Sequence, residues 1–221
     1  MITYHADVVQ GSEEWAAMRC GLLTASEMGL IITPTLKAAS NEKERTHLYE
    51  LLGQRITQYV DPSYIGDDML RGIDDEIEAV ALYAKHYAPV QTVGFVTNDK
   101  WGFTIGYSPD ALVGDDGLVE CKSRRAKYQV QTILDGCVPT DFMIQCQTGL
   151  LVTERKWLDF ISYSGGLPMF VVRCLPIPEI QEAIVAAATG FEERIALAQK
   201  KYGAAIEGLI PTERRIEQEI Y

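Results

Sequence analysis

Ser108-Pro109-Asp110-Ala111-Leu112-Val113-Gly114-Asp115-Asp116-Gly117-Leu118-Val119-Glu120-Cys121-Lys122 carries the pattern on which the fold turns. Two short strand-like runs, 111–113 and 118–122, flank Gly114-Asp115-Asp116-Gly117, whose residue types suit a tight hairpin turn. On a strand, residues two apart share a face. Glu120 and Lys122 therefore point the same way, while Val119 and Cys121 point into the core. The turn folds Asp110 back close to Glu120. Whether Asp110 faces the same side depends on a one-residue register that the sequence leaves open.

An Asp, then a Glu and a Lys separated by one residue, is an arrangement that many metal-dependent nucleases use. Two carboxylates hold a hard divalent cation through oxygen ligands. The cation lowers the pKa of a bound water and stabilises charge on a phosphate. A neighbouring Lys can orient the attacking water or neutralise phosphoryl oxygens. An ordinary surface strand with a Glu–Lys pair near an acidic turn would carry the same letters.

Working outward, the pattern is helical before residue 90 and extended from 93 to 122. Ser12 is placed to cap a short helix through Cys20, with Gly21 just past its end. Thr24-Ala25-Ser26-Glu27 resembles a capping box, so a second helix is expected from about Ala25. Residues 41–59 read as a helix with Leu48, Leu51, Leu52 and Ile56 on one face. A loop is expected around Asp61-Pro62-Ser63 and Gly66-Asp67-Asp68, then a helix over 71–87 with Ile73, Ile77, Val80, Ala81 and Ala84 as its apolar stripe. Strands are expected over 93–97, 103–107, 111–113 and 118–122, and helices over 124–135 and 139–152. A hairpin over 157–164 and 169–175 and an amphipathic helix over 178–202 complete the chain. This order predicts an α/β (α+β) fold, a central mixed sheet flanked by helices. One nuclease domain is expected over 1–221, its core about 8–175.

Further candidates lie along this frame. Glu76 falls at the edge of the apolar stripe of its helix, unlike a fully solvated charge; an acidic helix start explains Asp74 and Asp75 better than Glu76. Gln145 and Gln147 sit in a mostly apolar helix, where buried amides need partners. Arg19, Thr24 and Ser26 cluster at the expected helix N-terminus and could bind a terminal phosphate, or Thr24 and Ser26 could simply cap. The run Lys122-Ser123-Arg124-Arg125-Ala126-Lys127 is the densest positive patch, suited to backbone phosphates or to a solvated loop.

Composition narrows the classes. The 47% apolar fraction supports a real core and no disorder. No apolar run is long enough for a membrane span, and the N-terminus lacks the basic and apolar regions of a secretory signal. Five scattered cysteines without metal spacing read as reduced thiols in a cytoplasmic protein. His5, His47 and His86 have no ligand spacing. The net charge of −11 argues against a DNA-coating protein and confines any DNA contact to a local channel.

In order, Gln10-Gly11-Ser12-Glu13-Glu14-Trp15, Arg19-Cys20-Gly21-Leu22-Leu23-Thr24-Ala25-Ser26-Glu27, Gly72 with Glu76, Ser108-Pro109-Asp110, Glu120-Cys121-Lys122 and Gln145-Cys146-Gln147 resemble the phage lambda exonuclease family. Those nucleases belong to the PD-(D/E)xK superfamily, with its restriction-endonuclease-like core. The resemblance covers about residues 8–175, with Thr148 standing where the family often has an aromatic.

It implies that Asp110, Glu120 and the backbone carbonyl of Cys121 ligate Mg2+ or Mn2+, two ions per site. Lys122 and Glu76 would activate the attacking water, with Gln145 beside them. Arg19, Ser26 and Ser108 would hold a 5′-phosphate; the residue pattern itself adds Thr24 to that group and sets Arg124, Arg125 and Lys127 along the DNA backbone. The implied activity is 5′→3′ degradation of one strand of duplex DNA, leaving a 3′ overhang for homologous recombination. The implied partners are double-stranded DNA ends, two further copies in a ring-shaped homotrimer and a single-strand annealing protein, in the cytoplasm of a phage-bearing bacterium. A structure- or site-specific endonuclease, or a non-catalytic DNA-end-binding module, is the alternative on the same core.

Overall fold

Hairpin, caps and prolines set the local order, and a computed structural model describes residues 1–62 and 66–214. In chain order the elements are β1 (Ile2–His5), α1 (Glu13–Arg19), β2 (Leu23–Thr24), α2 (Met28–Ile31), α3 (Glu42–Thr57), α4 (Asp67–His86), β3 (Phe95–Asn98), β4 (Ile105–Tyr107), β5 (Ala111–Val113), β6 (Gly117–Ser123), α5 (Ala126–Asp135), α6 (Thr140–Thr153), β7 (Trp157–Tyr163), β8 (Phe170–Cys174) and α7 (Pro178–Ala205). Ser12 caps α1 by accepting from the Trp15 amide, and Asn41 caps α3 by accepting from the Glu44 amide. Gly136 ends α5 in the left-handed region, and Pro178 opens α7. Of the loop expected over 61–68, residues 63–65 lie outside the described residues, and Asp67 already belongs to α4.

The fold is mixed α/β, as expected, but its strands form two four-stranded sheets where one central sheet was predicted. The first runs β1-β3-β4-β2 and the second β5-β6-β7-β8. Both are mixed: β2–β4 and β6–β7 are parallel, and the remaining pairs antiparallel. The β6–β7 crossover through α5 and α6 is what a parallel pair requires. The sequence pattern did not mark β1 or the two-residue β2. Among the described residues no helix is long and apolar enough to cross a membrane.

Both faces of β6 are covered. Leu118 joins Phe160, Cys146, Leu150 and Phe191 in the larger core, with α6 and α7. Val119 and Cys121 join Ala111, Ile161, Ala79 and Tyr83 beneath α4. This corrects the stripe expected on α4. Ala79 and Tyr83 face the sheet with Val80 alongside, whereas Ile73 and Ile77 are 51% and 67% exposed. The reason is polar and long-range. Tyr83 donates to the buried Asp159 of β7 at 2.7 Å, and Arg173 of β8 grips the same carboxylate at 2.8 and 2.9 Å. At 100° per residue that anchor turns Asp75, Glu76 and Ala79 inward with Tyr83.

Helix α6 comes close to β4. A Cβ on Gly149 would stand 2.7 Å from Tyr107 Cζ, a fully buried ring, whereas Gly53 in α3 has open space. Gly149→Ala should therefore lower stability by about 1–3 kcal/mol, because overpacking outweighs the helix-propensity gain. Gly53→Ala should raise stability by about 0.5–1 kcal/mol. Urea unfolding midpoints test both signs, and stabilisation by Gly149→Ala would contradict this packing.

Candidate active site

The β5–β6 hairpin pairs Ala111 with Val119, so Asp110 lies beside Glu120. The Asp110 amide donates to the Val119 carbonyl at 3.2 Å, and the Cys121 amide donates to Asp110 Oδ2 at 2.5 Å. That pair of bonds settles the register that the sequence left open. The preceding loop is held from the other side. Trp15 Nε1 donates to Ser108 Oγ at 2.8 Å, and Gln10 Nε2 donates to the Pro109 carbonyl at 2.8 Å.

Glu120 is 2% exposed, which removes the surface-strand alternative. An isolated buried carboxylate costs several kcal/mol unless it is paired and hydrogen-bonded. Three donors meet it here. Tyr107 Oη of β4 donates at 2.7 Å, Gln145 Nε2 of α6 at 2.5 Å, and Lys122 Nζ lies 2.7 Å away. Sequence reasoning missed Tyr107; nothing in its letter pattern marks a donor that must cross from one sheet to the other. Gln147, by contrast, is structural. It is fully buried, donating to the Leu175 carbonyl and accepting from the Ile177 amide, each at 2.8 Å.

The electrostatics follow from burial. Desolvation, and then the Glu120 charge, push the Asp110 carboxyl well above the usual range. Burial also raises Glu76, opposed by Lys122 and assisted by Glu120 and Asp75. Burial works against the Lys122 ammonium, but Glu120, Asp110 and Glu76 together outweigh it and raise its pKa. The site thus gathers three carboxylates around one ammonium, an excess of negative charge that suits a cation. Burial, then Asp110, raises the Cys121 thiol pKa, and the side chain lies in the core beneath α4. Among the described residues no three His, Cys, Asp or Glu side chains form a metal cage. Two carboxylates and a peptide carbonyl are nevertheless an all-oxygen donor set, which fits Mg2+ or Mn2+.

The expected phosphate group is brought together, but not as a helix N-terminus. Helix α2 is a single turn starting at Met28. The Thr24 hydroxyl donates to Glu27 Oε2 at 2.6 Å instead of capping, because Leu23–Thr24 is drawn into a parallel pair with β4. Arg19 stacks 4.3 Å over Trp15 and reaches Thr24 at 3.4 Å, and Ser26 lies 3.3 Å from Thr24. Burial lowers the Arg19 pKa, and Glu27 partly restores it. Through the Trp15–Ser108 bond this group adjoins the Asp110 loop.

The basic run leaves the end of β6. The Arg124 guanidinium lies 4.9 and 5.1 Å from the ring centres of Phe142 and Tyr128. Lys127 is exposed, its Nζ 4.6 Å from the Tyr128 ring. Ser123 donates to Asp75 of α4.

Comparison with known proteins agrees with this geometry. The family model described as the YqaJ-like viral recombinase domain matches residues 14–156. The alkaline exonuclease of Laribacter hongkongensis superposes with a TM-score of 0.73 at 30% identity, over 88% of this chain and 100% of that one. The same exonuclease in complex with dAMP gives a TM-score of 0.74 at 32% identity, with the same coverage. A phage-related exonuclease from Haemophilus somnus shares the fold, with a TM-score of 0.54 at 13% identity over 86% of this chain and 96% of that one. No curated protein matches.

Tyr107→Phe removes one donor from buried Glu120 and leaves the ring packing intact. It should lower stability by about 1–3 kcal/mol. An unchanged urea midpoint would remove Tyr107 from the Glu120 network.

Proposed function

This chain belongs to the YqaJ-like viral recombinase family, that of the phage lambda-type recombination exonucleases, and from that premise we propose that it is a Mg2+-dependent 5′→3′ exonuclease of duplex DNA. The observation that carries the reading is the hairpin cluster of Asp110, buried Glu120 and Lys122, with Lys122 Nζ 2.7 Å from Glu120. Asp110, Glu120 and the Cys121 carbonyl would hold Mg2+ or Mn2+, two ions per site, and the bound cation supplies a water of lowered pKa and positive charge for the phosphate.

The chain's own residues do the rest. Lys122 orients the attacking water and offsets charge on the phosphoryl oxygens as the bond to the leaving oxygen breaks. Glu76 accepts a hydrogen bond from that water. Gln145 and Tyr107 keep Glu120 in one orientation, so little reorganisation is needed when substrate arrives. Arg19, Thr24, Ser26 and Ser108 bind the 5′-phosphate and thereby set the polarity. The Laribacter enzyme was solved with dAMP, a deoxynucleoside monophosphate and the class of product expected when single nucleotides leave a DNA end.

In the same reading the 3′ overhang passes to a single-strand annealing protein, in the cytoplasm of a bacterial host. The enzyme would work as a ring-shaped homotrimer around the duplex. A ring reconciles a net charge of −11 with DNA binding, since the cations need line only the bore.

The test is Mg2+-dependent digestion of a linear duplex, 5′-phosphorylated at one end only, with a closed circle as control. Loss of the strand from the phosphorylated 5′ end, with the circle intact, is expected. A cut circle would make the protein an endonuclease, and inertness with both Mg2+ and Mn2+ would make it a binding module. Lys122→Ala should abolish cleavage while metal and DNA binding persist; near-wild-type cleavage would exclude its catalytic role. Arg19→Ala should slow digestion of phosphorylated ends toward the rate on hydroxyl ends. Equal loss on both ends would refute the phosphate pocket.

A further inference from the structure

Beyond the catalytic lysine, β6 runs into a cleft of about 480 Å³ lined by Arg71, Asp75, Arg124, Arg125, Ser164 and Gly165, with Ala126 at its edge. Among the described residues that line the cleft, three carry guanidinium groups and one a carboxylate. That carboxylate, Asp75, is already engaged: it accepts from Ser123 and lies 3.9 Å from Arg71. The Arg124 main chain is tied to the end of β7 by its amide, which donates to the Tyr163 carbonyl at 2.6 Å. Its guanidinium lies against the rings of Tyr128 and Phe142, which help hold it in place. Among the described residues, the buried Arg124 Nε has no hydrogen-bond partner. Turning that group toward an incoming oxygen therefore breaks no existing bond at Nε, and a buried donor without an acceptor calls for one. Guanidinium forks of this kind match phosphate oxygens.

The position of the cleft is informative. In the second sheet β6 lies between β5 and β7. Ser108 and the Arg19 group stand on the β5 side of Glu120 and Lys122, and Ser164 and Gly165 stand on the β7 side. At about 4.8 Å between strands, the two flanks are about 10 Å apart, with the reactive groups between them. Along β6, Arg124 lies about 7 Å beyond Lys122 at the rise of a strand.

We propose that this cleft is a phosphate subsite for the strand being cut, holding the backbone phosphate that follows the scissile one in the 3′ direction. The assignment rests on the 5′→3′ exonuclease reading above. A strand whose 5′-phosphate sits at Arg19 crosses Glu120 and Lys122 with its next linkage and meets Arg71, Arg124 and Arg125 with the one after. Arg124 and Arg71 are then positioning residues. They hold the scissile linkage in line without touching the reacting atoms.

The test is removal of the first nucleotide from a 5′-phosphorylated duplex carrying a single uncharged methylphosphonate at that following phosphate. Wild type should react about tenfold more slowly on the neutral linkage, the size of one charge-assisted hydrogen bond. Arg124→Ala should be slowed to a similar degree on the normal duplex, yet be nearly indifferent to the methylphosphonate. Arg71→Ala, on the exposed side of the cleft, should show the same indifference and guards against local misfolding of the stacked Arg124 variant. Full methylphosphonate sensitivity in both variants would overturn the subsite. So would indifference that appears only for a neutral linkage in the complementary strand. If wild type instead digests from 3′ ends or cuts circles, the exonuclease reading fails first, and the two failures are distinguishable on unmodified DNA.

Discussion

The burial of one carboxylate organises this protein. Glu120 sits on a strand covered on both faces, and it is tolerable there only because donors from β4, β6 and α6 converge on it. Each donor recruits a separate part of the chain. Tyr107 brings the first sheet against the second, and Gln145 brings in the crossover helix. Gly149 lets that helix approach closely enough to back the Tyr107 ring. The polar network at the reactive site and the packing of the two sheets are therefore one arrangement.

A second buried carboxylate, Asp159, has a different task. Held by Tyr83 and by both arms of Arg173, it fixes the rotation of α4 about its axis. That rotation turns Glu76 toward Lys122 and Asp75 toward Ser123, and leaves Ile73 and Ile77 in solvent. Removing either partner from such a buried pair is costly, because the survivor is left uncompensated. The carboxylate that locates α4 thus also locates an acidic group at the site.

The distribution of charge also acquires a meaning. A net charge of −11 says little about where the cations are. Arg19 on one flank of β6, Lys122 on it, and Arg71, Arg124 and Arg125 on the other form a band across the reactive centre. Such a band, set in an otherwise acidic protein, favours a polyanion along one path and repels it elsewhere.

Asp110, the turn and Glu120–Lys122 were legible in the letters because a hairpin is local: turn type and period-two alternation determine which residues meet. The Ser12 cap was legible for the same reason. The rest needed contacts between distant segments. Whether Glu120 was buried, which face α4 presents, why Gln145 serves the site while Gln147 staples α7, and why Thr24 enters a strand and not a helix cap all depend on partners far along the chain. One further consequence, the cleft where Arg71 of α4 meets Arg124 beyond β6, has no trace in sequence spacing. The sequence by itself determined the local hairpin, its chemistry and the class of fold. Only the tertiary structure decided which charges are desolvated and which face one another, because desolvation is a property of everything packed around a group and not of its neighbours in sequence.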